Sequence, residues 1–126
     1  MRNKVQEWFK QAEYDLNVAE YMYEGGRNTY SVFMCHLAIE KALKSLFLAK
    51  LQDIPPKTHN LIYLLSKMEI KPEENIGKFI TRLNEASIAT RYPEDLEQLQ
   101  KNFTQLITKQ IISQTKETLE WIKKQF

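Results

Sequence analysis

The chain has 126 residues, enough for one domain and too few for two independent ones, so residues 1–126 are expected to form a single unit. One Cys excludes an intrachain disulfide, and three Gly with four Pro leave few tight turns. A formal net charge of +2, with lysines spread along the chain, argues against the dense basic stripe of a dedicated nucleic-acid binder. No uncharged apolar run approaches the roughly 18 residues of a membrane span, and no charged-then-apolar leader opens the chain; a cytoplasmic protein without a membrane partner is expected.

The first predicted helix covers about 3–24. Val5, Trp8, Phe9, Ala12, Leu16, Ala19 and Tyr23 recur at spacings of three and four, one stripe of a 3.6-residue helix. Gly25-Gly26 stops it. The second helix, Asn28 to Leu51, takes Asn28 or Thr29 as its cap. Apolar residues cover most of its circumference, so it is expected at the centre of the fold. Its polar exceptions are ordered: His36, Glu40 and Lys44 stand at i, i+4 and i+8 and make one polar line. Glu40 precedes Lys44 by four, the favourable order for a helical ion pair. Cys35 lies in the same apolar run and is expected as a small buried hydrophobe.

Asp53, Pro55 and Pro56 mark a loop, and Thr58 is the expected cap of a short third helix over 59–68 with Leu61, Leu64, Leu65 and Met68 inside. His59 then stands at the positive end of that helix. Pro72, Glu73 and Glu74 open a fourth helix whose buried face is Ile76, Phe79, Ile80 and Leu83. It must end before Pro93, because the residue preceding proline is pushed out of helical geometry. The polar stretch 94–102 is expected to be loop. The last helix, 104–124, buries Ile107, Ile111, Thr115, Leu119 and Ile122.

Most chemistries lack their signature. Two histidines and one cysteine give no HExxH, no CxxC and no paired ExxH, so no metal is expected. No glycine-rich phosphate loop is present, and no cofactor is expected. Three polar features remain: the His36–Glu40–Lys44 line, His59, and Arg91-Tyr92-Pro93, where proline pins a turn beside a five-donor guanidinium suited to phosphate or carboxylate.

The run Ala38-Ile39-Glu40-Lys41-Ala42-Leu43-Lys44, then Thr58-His59-Asn60-Leu61, then Ala89-Thr90-Arg91-Tyr92-Pro93, resembles the HEPN family of small helical proteins. Trp8, Ala12, Asp15, Leu16 and Ala19 are similar to that family's first helix. The resemblance implies an all-α fold, an up-and-down bundle of four main helices plus a short extra helix. It also implies a homodimer. Many members are encoded beside a minimal nucleotidyltransferase in toxin–antitoxin-like pairs; others are ribonucleases or nucleotide-binding modules. Ribonuclease members resemble one another in an Arg followed, after four to six residues, by His. Here no His follows Arg91 or Arg82, and none stands at that distance from Arg27. Ribonuclease activity is therefore not carried over by the resemblance.

Three readings stand. The leading one is a non-catalytic, homodimeric binding or partner module that docks a minimal nucleotidyltransferase or holds a nucleotide, an RNA or another phosphate-bearing ligand. Arg91 and Lys44 would contact the anion, His59 and Tyr92 would orient or stack a base, Glu40 would position Lys44, and His36 would extend the polar wall. The second is a divergent ribonuclease toxin in which His59 meets Arg91. The third is a purely structural helical dimer.

Overall fold

The apolar second helix does lie at the centre. The computed structural model describes residues 2–91 and 96–126, which form six helices and no strand. They are α1 (Arg2–Glu24), α2 (Asn28–Leu51), α3 (Leu61–Lys67), α4 (Glu74–Arg91), α5 (Leu96–Asn102) and α6 (Gln105–Lys123). Helix α2 touches all five others. Its Val32, Cys35, Ile39, Ala42, Leu43 and Leu46 are fully buried among Leu61 and Leu64 of α3, Ile80 of α4 and Ile122 of α6.

Helices α1 and α2 form the most extensive pair. Small residues allow their close approach: Ala12 and Ala19 on α1 and Ala42 on α2 are wholly inaccessible. Two hydroxyls tie the ends of the pair. Ser31 Oγ donates to the Ala19 carbonyl and Ser45 Oγ to the Val5 carbonyl, each at 2.7 Å. The turn between the helices is set by Gly26 at φ 74. Gly26 N–H reaches Tyr23 O, and Arg27 N–H reaches back five residues to Met22 O, the paired bonds of a Schellman stop. Cys35 behaves as a core hydrophobe, its thiol pushed up to about 12, chiefly by burial.

Three local expectations are corrected. The stretch 94–102 is not all loop: Leu96–Asn102 is helix α5, so two short helices accompany the four long ones. Leu99 and the following Phe103 are buried and anchor this otherwise polar turn to the core; with Leu96 they stand three and four apart, a stripe of only two turns within a polar stretch. Helix α2 is entered through Arg27 without a side-chain cap, so neither Asn28 nor Thr29 caps it. Helix α3 begins two residues later than expected. Asn60 is its cap, with Oδ1 accepting from Tyr63 N–H, while the Thr58 hydroxyl accepts from Asn60 N–H one turn earlier. His59 therefore stands on the loop ahead of the helix.

Candidate functional site

Helix α2 presents its polar line inward. His36 is fully buried, Glu40 is 4% exposed and Lys44 8% exposed, so the line is not a solvated strip. A buried carboxylate requires partners, and Glu40 has them on both oxygens. Lys44 Nζ donates to Oε2 at 3.0 Å. His59 Nδ1 lies 2.9 Å from Oε1. The same Oε1 is 3.8 Å from Arg91 Nη2 and 3.9 Å from His36 Nδ1. One carboxylate thus gathers two residues of its own helix, one from the loop before α3 and one from the last turn of α4.

The surrounding groups are held individually. Arg91 places its guanidinium carbon over the Phe33 ring, 4.7 Å from the centroid, a cation–π contact. Lys44 Nζ stands 5.9 Å from the Trp8 ring. Asn84 of α4 fixes the loop that carries His59: its Oδ1 accepts from Leu61 N–H at 2.9 Å and its Nδ2 donates to Asn60 Oδ1 at 3.1 Å. Burial pushes the His36 ring down to about 4, and the Arg91 charge works in the same direction; Glu40 and Asn84 oppose it without prevailing. His36 is therefore neutral near pH 7.

The hydrogen bonds of the cluster are incomplete. Neither His36 nitrogen makes a hydrogen bond of good geometry, although the Asn84 side chain and the His59 backbone stand near the ring. Arg91 Nε and Nη2 also lack a hydrogen-bond partner among the described residues, the Glu40 contact being beyond bonding distance. Buried polar groups are satisfied in most folds; among the described residues four of the seven exceptions lie in this one cluster, the others being single atoms of Asp15, Asn28 and Thr108.

The model of the HEPN domain matches residues 5–125 of this sequence. The chain belongs to the HEPN family. Two solved structures share its fold. One is TT1696 from Thermus thermophilus, with a TM-score of 0.83 at 21% identity over 98% of this chain and 99% of that one. The other is ST0689, described as an archaeal HEPN homologue, with a TM-score of 0.77 at 28% identity over 97% of each chain. No curated protein matches.

Within this HEPN domain, five of the six residues singled out in the sequence, His36, Glu40, Lys44, His59 and Arg91, meet around one carboxylate. Tyr92 lies outside the described residues. Sequence reasoning missed Phe33, Trp8 and Asn84. Asn84, Ser87 and Arg91 stand three and four apart and form on α4 a counterpart of the polar line on α2; that spacing was the available signal. Among the described residues no three His, Cys, Asp or Glu side chains converge as a metal site would need, and no helix is long and apolar enough to cross a membrane.

Proposed function

We propose that this HEPN domain is a non-catalytic, homodimeric binding module whose Glu40-centred site takes a phosphate-bearing ligand, a nucleotide or the exposed end of an RNA. The observation that carries this reading is the open donor capacity of Arg91. Its guanidinium stands over the Phe33 ring and lacks partners on Nε and Nη2, the edge that can engage two oxygens of a phosphate at once. Glu40 holds Lys44 Nζ in place at 3.0 Å, so a second basic group stands near the first. The half-exposed His59 ring gives a face on which a base can stack. The family's frequent pairing with minimal nucleotidyltransferases makes such an enzyme, in a toxin–antitoxin-like arrangement, the fitting protein partner. Calorimetric titration of ATP, GTP and a short RNA into the wild type and Arg91→Ala tests the reading. Binding to one of them that weakens at least about tenfold in the variant is expected; absent or equal binding removes the phosphate site.

A second reading, RNA cleavage, is favoured by one distance. His59 Nδ1 at 2.9 Å from Glu40 Oε1 is the contact by which a carboxylate orients an imidazole, leaving Nε2 to handle a proton beside Arg91. This supplies a histidine that the missing Arg-x(4-6)-His spacing does not. It predicts RNA breakdown by the purified protein that stops in His59→Ala; intact RNA in that assay excludes it.

A further inference from the structure

A cavity opens beside Lys44. It measures about 570 Å³ and lies between the first turns of α1 and the chain leaving α2. Trp8, Leu48 and Ile54 give it an apolar lining, and Lys4, Lys44 and Lys57 bring three cations to it. Its outer wall is built rather than slack. Gln52 ends α2 at φ 51 with its N–H on Leu48 O, Asp53 Oδ1 accepts from Ile54 N–H at 2.8 Å, and Pro55-Pro56 follow. This wall holds Ile54 80% exposed, an aliphatic side chain kept in water beside an indole.

The charges point one way. The single carboxylate at the cavity, Asp53, is engaged in its own turn. Lys4 and Lys57 have no ion-pair partner among the described residues, a state they share with several other surface lysines, and both border this cavity. Lys44 is shared, with Nζ bonded to Glu40 and 5.9 Å from the Trp8 ring. An apolar cavity of this size with a few fixed charges suits a small organic molecule. The lining is too apolar, and too poor in donors other than the lysines, to satisfy a sugar.

We propose that this cavity binds a small aromatic acid, its ring system lying against Trp8 and Ile54 and its single anionic group held by Lys57 and Lys4. The site is separate from the Glu40 cluster and touches it only through Lys44, whose Nζ is bonded to Glu40. The intact protein is titrated with anilinonaphthalene sulfonate, a fluorescent aromatic anion, and the probe is then displaced with naphthoate. Saturable one-to-one binding is expected, with naphthoate displacing the probe and AMP failing to. The exposed positions allow variants that keep the fold, checked by circular dichroism. Ile54→Glu, which puts a carboxylate into the cavity, and the double change Lys4→Ala/Lys57→Ala are each expected to weaken the probe by at least about tenfold. Arg91→Ala is expected to leave it unchanged, which keeps this site distinct from the phosphate site. Non-saturating binding, affinity untouched by both lysine and Ile54 changes, equal affinity for uncharged phenylnaphthylamine, or displacement by AMP but not naphthoate would each overturn the assignment.

Discussion

Helix α2 meets two buried carboxylates, and they are built differently. Asp15 of α1 faces Lys41 of α2 alone, with Nζ 2.9 Å from Oδ2 although off the ideal hydrogen-bond direction. The pair joins the two helices that already pack most closely, and Lys41 keeps a fifth of its side chain in water. Glu40, one residue before Lys41 and on another face of the helix, has four basic neighbours from three parts of the chain, and two of those, His36 and Arg91, keep unsatisfied nitrogens. The first arrangement matches one charge to one charge and serves packing. The second holds more donors than its carboxylate can use. A fold gains nothing from that excess, because buried groups without partners cost stability; a ligand can use it.

The contrast can be broken by removing each carboxylate in turn. Glu40→Ala strands Lys44 in the interior and is expected to cost about 3–5 kcal/mol in urea unfolding. A cost under about 1 kcal/mol would mean that Lys44 simply turns to solvent and that the cluster is not the buried unit described.

Acid sharpens the contrast next. The folded His36 ring titrates near 4, below its ordinary 6.5, so the unfolded chain takes up the proton first. The titration of His36 is neutral for folding above pH 6.5, and stability is lost as pH falls from there toward 4, because over that range only the unfolded chain binds the proton. The loss amounts to about 2 kcal/mol between pH 6.5 and 5. Unfolding free energies across that window are expected to fall in the wild type and to flatten in His36→Leu. Asp15→Asn, which leaves His36 untouched, should keep the wild-type slope.

Asp15→Asn itself is expected to cost about 1–2 kcal/mol at pH 7, since Lys41 can reach water once its partner is neutral. The smallest effect has the opposite sign. At pH 7, His36→Leu replaces a buried ring with two unsatisfied nitrogens by an apolar side chain of similar size and is expected to stabilise by about 1 kcal/mol while impairing ligand binding. A clear destabilisation would place His36 with the structural groups, beside Asp15.

Much of this fold was legible from periodicity. The bounds of α2 follow from its continuous apolar run, and those of α1 and α6 differ from expectation by a residue at most. Helix α5 was hidden because its stripe is short: Leu96, Leu99 and Phe103 stand three and four apart, but they are set among polar residues and only Leu99 and Phe103 are buried. For the site, i, i+4, i+8 spacing revealed that His36, Glu40 and Lys44 share a line. It could not reveal that the line faces inward, because α2 is apolar on nearly every side and offers no contrast between core and solvent. The convergence of His59 and Arg91 on Glu40 depends on the path of the 52–60 loop and on Asn84 holding it, which are tertiary facts with no local signature. The Asp15–Lys41 pair passed unnoticed for the same reason, since Asp15 lies among residues that otherwise mark a core stripe.

The protein has two histidines, and both stand at the Glu40 cluster, which makes imidazole NMR a direct probe of it. The central claim is that this cluster, unlike the Asp15–Lys41 pair, is open to a phosphate-bearing ligand. Titration with ATP, GTP or a short RNA is expected to shift both the His36 and His59 ring signals saturably, with the shifts abolished by Arg91→Ala and preserved in Lys41→Ala. Ring signals that stay fixed at saturating concentrations of all three ligands, in a protein that remains folded, would contradict it.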